Sequence, residues 1–238
     1  MSSTSYRSSK HENSKCILSF DLSTRCLRAE QGKACAYCYS ETAREVGGGR
    51  AKAVVPYAPY EEKRWPLTLR KEMKKRLMDV GGVRMFSFSD YRSRERNCVS
   101  AFLTDALMVG LRVKAITKVP LFLMHHHDHE ALQVVHLSVD SLKSEWGERR
   151  SPIGLRKAVN LKRRYHKVKV RAVCLSEEDV AFFGDNPDVD ILTLNHGQNG
   201  FKRFSRERRL EIAKKYPGRV CCASESGTCE GCPIRCGV

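Results

Sequence analysis

Short β-branched, apolar runs alternate with segments of helical periodicity from residue 16 onward, and this alternation constrains the fold more than any other feature. Strands are expected at 17–20, 83–88, 113–117, 133–139, 168–175 and 189–194, each bounded by polar or turn residues. Helical patterns lie at 39–46, 60–79, 96–110, 120–127, 152–166, 177–183 and 205–216. Several boundaries carry a physical signal. Ser205 is placed to cap a helix that Pro217 and Gly218 end, and Pro120 suits a first helical turn. Ser176 precedes acids that favour a helix N-terminus, and Gly110 fits a C-terminal cap. Strand–helix alternation implies a parallel sheet with crossover helices. Six such units predict an α/β fold, a partial (β/α)6 TIM-like barrel. Residues 1–15 are polar and read as a disordered basic tail, 16–219 as the core, and 220–238 as a small cysteine-rich C-terminal appendage.

In parallel barrels the reacting groups gather at the C-terminal ends of the strands. Asp21, Ser23 and Thr24 follow the first expected strand, and Ser87, Ser89 and Asp90 the second. Thr117 and Lys118 close the third, Ser138 and Asp140 the fourth, and Ser176 the fifth. The sixth is followed by Asn195, His196 and Gly197. At that position His196 is expected either to act catalytically, binding substrate or donating a proton, or to make a turn contact in a loop.

The chain has 11 cysteines and no apolar run long enough for a membrane span. Its N-terminus lacks the apolar stretch of a signal peptide, so a reducing, cytoplasmic setting is expected, where ligation explains cysteines better than disulfides do. Cys26, Cys35 and Cys38 stand as C-x8-C-x2-C directly after the first expected strand, with Tyr37 before the last cysteine and Tyr39 behind it. A closed zinc site wants four ligands, whereas three thiolates suit a [4Fe–4S] cluster with one open iron. Zinc held by these three and Cys16 is the competing reading.

This loop resembles that of radical S-adenosylmethionine (SAM) enzymes, whose usual spacing is C-x3-C-x2-C. It is closer to a phage-associated radical-SAM-like branch with a longer first gap, in which "SD" or "GD" follows the second strand and "TK" the third. Here "FSFSDYR" supplies Ser89 and Asp90, and "AITKVP" supplies Thr117 and Lys118. The resemblance spans roughly residues 16–200. It implies a (β/α)6 fold, three irons held by Cys26, Cys35 and Cys38, SAM on the fourth, and a reductant such as flavodoxin or ferredoxin. It places Tyr37 beside the adenine. The family's Gly-Gly-Glu segment is absent; Ser87, Ser89 and Asp90 take its place, and Asp90 is expected to accept from the SAM ammonium. Thr117 and Lys118 belong to the same cofactor-binding set, and Ser138 and Asp140 fall where the ribose or carboxylate is contacted.

Cys222, Cys229, Cys232 and Cys236 form C-x6-C-x2-C-x3-C, a set that completes either a second [4Fe–4S] cluster or an all-thiolate zinc site. Cys98 and Cys174 read as packing residues. The histidines of "MHHHDH" (124–129) read as a solvated, partly helical stretch, since neighbours on a helix point apart. Lys+Arg is 43 against Asp+Glu 27, a net charge of +16 that favours DNA or RNA as a partner over a membrane. Basic clusters lie at 63–76, 149–171 and 202–215, with Tyr165 and Phe201 interleaved as candidate base-stacking residues. The alternative to a radical SAM enzyme is a non-catalytic zinc- or cluster-stabilised nucleic-acid-binding protein.

Overall fold

The structure is a computed structural model and describes residues 6–8, 17–20, 82–86, 90–108, 110, 112–141, 154–194 and 204–221. Its centre is one eight-stranded sheet in which the strands lie side by side in chain order. They are β1 (Tyr6–Ser8), β2 (Ile17–Phe20), β3 (Gly82–Met85), β4 (Val113–Thr117), β5 (Leu132–Val139), β6 (Val168–Cys174), β7 (Ile191–Leu194) and β8 (Val220–Cys221). β1 is antiparallel to β2, and every later pairing is parallel. Six of the seven parallel strands, β2–β7, curl into a half-barrel, the TIM-like α/β architecture that strand–helix alternation implies.

Five described helices accompany the sheet: α1 (Arg96–Met108), α2 (Leu121–His126), α3 (Leu155–Arg164), α4 (Glu177–Gly184) and α5 (Arg206–Lys215). Alternation along each strand sorts side chains onto two faces. Met85, Ala115, Val135, Leu137, Val170, Ala172, Leu192 and Val220 are buried and share one core with Phe102 and Leu103 of α1, Phe122 of α2, Ala158 of α3, Phe183 of α4 and Ile212 of α5. That is the helix-covered face. The intervening residues define the inner, concave face: Arg84 on β3, Lys114 and Ile116 on β4, His136 and Ser138 on β5, Lys169 and Arg171 on β6, and Thr193 on β7.

Local chemistry fixes the connections. Ser176 caps α4 in a full capping box with Asp179, and Ser205 accepts from the Arg208 backbone N–H to cap α5. Gly110 takes a positive φ of 77° after α1, as expected for a glycine cap. At the other end of α4, the Arg219 guanidinium donates to the carbonyls of Gly184, Asn186 and Val189 at 2.8, 2.8 and 2.6 Å. These bonds satisfy acceptors that a helix end and its exit turn would otherwise leave open. Gly184 itself sits under the Tyr216 ring, which leaves no room for a Cβ.

The structure differs from the sequence reading in three places. Within the expected disordered tail, Tyr6–Ser8 forms the edge strand β1, because an antiparallel partner satisfies the open edge of β2. The sheet also continues into the expected appendage: Leu192 and Thr193 pair with Val220 and Cys221. The third strand-end difference is after β3, which ends at Met85 because Phe86 turns into the left-handed region at φ 64°. The helices expected at 39–46 and 60–79, and the cysteine segment 222–238, lie outside the described residues.

Candidate functional site at the C-terminal edge of the sheet

Because β2–β7 are parallel, their C-terminal ends form one rim. Phe86, at the exit from β3, holds a conformation that costs a bulky residue about 1–2 kcal/mol and is buried against Tyr91 and Phe122 in edge-to-face contacts. This turn delivers Asp90 to the rim. The Asp90 carboxylate accepts the backbone N–H groups of Tyr91 (2.8 Å) and Lys118 (3.0 Å) and the hydroxyl of Thr117. The Thr117 oxygen in turn accepts from Val119 N–H at 3.0 Å. The Lys118 ammonium reaches the next strand end, where it pairs with Asp140. Burial pushes the Asp90 carboxyl above its ordinary value, against the opposing pull of Thr117, the two backbone donors and the Lys118 charge.

The "SD" and "TK" segments therefore meet. Asp90, Thr117, Lys118 and Asp140 form a single network that ties together the ends of β3, β4 and β5. Asp90 was expected to face a ligand ammonium, but three protein donors already occupy most of its acceptor capacity. Ser138 is buried at the position beside Arg171 on the inner face. Beyond it, Ser141, which sequence reasoning missed, donates to Asp179 at 2.6 Å. Asp179, fully buried, also accepts from Leu175 N–H at 2.8 Å and Ser176 N–H at 3.1 Å, joining the end of β5 to the β6–α4 turn. Ser141 carries no motif signal, since it is one serine among many in the sequence.

Tyr37, Ser87, Ser89, His196 and the metal-ligand candidates Cys26, Cys35, Cys38, Cys222, Cys229, Cys232 and Cys236 lie outside the described residues. The chain leaves β2 at Phe20, on the same rim, shortly before Cys26. Cys174 is fully buried, and burial drives its thiol above the usual range, which suits packing rather than ligation. Among the described residues no group of three His, Cys, Asp or Glu side chains is placed to hold a metal ion.

The histidine stretch is less solvated than its sequence suggests. His125 Nδ1 lies 2.5 Å from the Tyr91 hydroxyl, and His126 is buried against Phe122 and Tyr91. Tyr165 does not stand free to stack on a base: it packs on His127, with ring centroids 4.6 Å apart, and lies under the Arg164 guanidinium. Much of the basic surface is likewise engaged. Lys162 pairs with Asp190, Arg163 with Asp188, and Arg208 with Glu177 and Glu211. Phe201 lies outside the described residues.

The chain matches no protein-family model and no curated protein.

Two buried histidines give the protein a defined acid sensitivity. Burial, followed by the positive field of Arg171, Lys169, Lys114 and Arg84, lowers His136 to about 3. Burial, followed by His125 and Arg96, lowers His126 to about 4. The folded values lie below the unfolded value, so the unfolded chain binds more protons throughout the interval between them. The contribution of the two histidines to stability is thus complete above about pH 6.5 and falls as pH drops towards 3–4, by roughly 1.4 kcal/mol per pH unit for each histidine. Urea unfolding at pH 7.5 and pH 5 checks this, and His126→Phe should flatten the slope by the share of one histidine. An unchanged urea midpoint between the two pH values would contradict the assignment.

No helix among the described residues is long and apolar enough to cross a membrane.

Proposed function

We propose that the protein is an iron–sulfur enzyme of radical SAM type. Cys26, Cys35 and Cys38 would ligate the cluster, and SAM would take the open iron. The observation that supports this most is the alignment of strand ends. The parallel register brings the exit of β2, which leads into the three-cysteine loop, to the same rim as Asp90, Thr117–Lys118 and Asp140. Asp90 keeps acceptor capacity for one more donor at that rim, which suits the ammonium of a zwitterion such as the methionine end of SAM. When bound by Cys26, Cys35 and Cys38, such a cluster would supply one-electron reduction of SAM, the chemistry this family uses to start hydrogen abstraction from a substrate.

The chain's own residues have narrower tasks. Thr117 and the Lys118 backbone hold Asp90 in place, and Asp90 presents its remaining lone pair at the rim. Lys118 and Asp140 neutralise each other while leaving a polar surface beside Ser138. Ser87, Ser89 and Tyr37 are assigned to SAM contact by the family resemblance; His196 is assigned to substrate binding or proton donation by its place after the sixth expected strand, and Cys222, Cys229, Cys232 and Cys236 to a second cluster or zinc by their spacing. Anaerobic reconstitution tests the cluster. About four irons should bind at the first site, with an iron–sulfur absorbance that is lost in Cys35→Ala and Cys38→Ala. Recovery of zinc alone from both sites would instead favour a zinc-stabilised binding protein.

A nucleic-acid partner is supported by the net charge of +16. Binding of tRNA or single-stranded DNA should weaken about 10-fold or more between 50 and 200 mM salt. A salt-independent signal, or none, would remove nucleic acid as the partner and leave the enzyme reading standing.

A further inference from the structure

The outer surface of α3 carries a feature that the rim does not explain. The helix reads LRKAVNLKRR, with five cations and no acid. Its inward side is Leu155, Ala158, Val159 and Leu161, buried or partly buried against the core, with Lys162 turned to Asp190. The exposed residues are Arg156, Lys157, Asn160, Arg163 and Arg164. At about 100° per residue they fall on a single arc of about 120°, in the order Arg163, Arg156, Asn160, Arg164, Lys157. From Arg156 to Arg164 this stripe is about 12 Å long, at about 1.5 Å of rise per residue.

Helix stability does not account for all of this charge. Cations in the last turn suit the helix dipole, and Arg163 also pairs with Asp188 at 3.0 Å. Arg156 and Lys157 stand in the first turn, where the dipole disfavours positive charge. At that position α4 carries Glu177, Glu178 and Asp179, and α5 carries Glu207. No acid lies three or four residues from Arg156 or Lys157 to offset them. Neither has an ion-pair partner among the described residues. The helix packs on β5 and β6, and Tyr165 closes it three residues before β6 begins at Val168. Its C-terminal end therefore lies at the start of the strands, and Arg156 and Lys157 lie towards the rim.

We infer that the outer stripe of α3 docks the phosphate backbone of a nucleic-acid strand, with Arg156, Lys157 and Arg164 as the phosphate contacts. This docking presupposes the nucleic-acid partner proposed above and adds the surface that meets it; it needs neither the cluster nor SAM. A stripe of about 12 Å matches about three successive phosphates of one strand, at about 3.4 Å of duplex axis each. Asn160, central in the stripe, is a neutral donor for a phosphate oxygen. No aromatic residue stands in the stripe, and Tyr165 at its end packs on His127, so the contact reads backbone rather than base. A membrane surface fits less well. A helix lying in a lipid interface buries its apolar face there, and the apolar face of α3 already packs on the core.

The test uses the full chain and fluorescence anisotropy with labelled tRNA, a single DNA strand and its duplex, across about 50 to 200 mM salt. Arg156→Gln/Lys157→Gln should weaken binding about 10-fold or more and lower the slope of log K against log salt by roughly 1.4 to 1.8. Its Tm should hold or rise, because first-turn cations oppose the dipole. Arg94→Gln/Arg112→Gln removes the same charge from exposed positions off α3 and should leave affinity within about 3-fold. Loss confined to the α3 variant supports the surface, and the probe that shows it identifies the strand as single or paired. Equal loss in both double variants, or none in Arg156→Gln/Lys157→Gln, overturns the α3 surface and leaves nucleic acid as the partner. No binding of any probe by the unaltered chain overturns both. Binding to phosphatidylcholine–phosphatidylserine vesicles alone, reduced in Arg156→Gln/Lys157→Gln, would likewise overturn both and give the stripe to a membrane.

Discussion

Replacing Asp179 by alanine is expected to lower the unfolding free energy by about 3–5 kcal/mol. The carboxylate is fully buried and accepts from Ser141 Oγ, Leu175 N–H and Ser176 N–H, and the same side chain completes the capping box of α4. Alanine leaves these buried donors without their acceptor and removes the cap, whose loss alone costs about 1 kcal/mol. Asp179→Asn keeps the shape and one carbonyl acceptor, so it should cost less than alanine. Urea unfolding with an unchanged m-value measures both. A loss below about 1 kcal/mol for alanine would show that the β5–α4 junction is not held by this carboxylate.

Lys118→Met should destabilise the fold by a similar amount, about 3 kcal/mol, since it leaves the buried Asp140 carboxylate without the Lys118 ammonium. The lysine and aspartate side chains are only 14% and 5% exposed, so solvent screening does not reduce this to the value of a surface pair. The double variant Lys118→Met/Asp140→Asn should recover much of the loss, because the Asp140 charge is then removed together with its Lys118 partner. A double-mutant cycle gives the coupling directly. Simple additivity of the two single losses would mean that the pair does not act as a unit.

The sheet was legible in the sequence because its helix-facing positions are almost uniformly apolar. Runs such as Val113–Thr117 and Leu132–Val139 could be placed to within a residue. Caps at Ser176 and Ser205 were legible for a similar reason, since a short polar side chain before a helical pattern has few other uses. What could not be read was pairing. Nothing local in "YRS" or "VC" marks Tyr6–Ser8 and Val220–Cys221 as strands; they become strands only because the edges of β2 and β7 need partners. The rim residues Asp90, Thr117, Lys118 and Asp140 were identifiable from their positions after strands, but their mutual bonding was not, because sequence separation hides contacts between strand ends. Lys169 and Arg171 fall in the basic cluster at 149–171, whereas Arg84 and Lys114 carry no signal in the sequence. Only the register shows that Arg84, Lys114, Lys169 and Arg171 share one face with His136.

The proposed chemistry requires an open iron held by Cys26, Cys35 and Cys38. Its most direct test is to incubate the anaerobically reconstituted, reduced protein with SAM and quantify 5′-deoxyadenosine. The unaltered chain should form it, and Cys35→Ala and Cys38→Ala should not. A fully loaded, reduced protein that forms no 5′-deoxyadenosine would contradict the proposed chemistry.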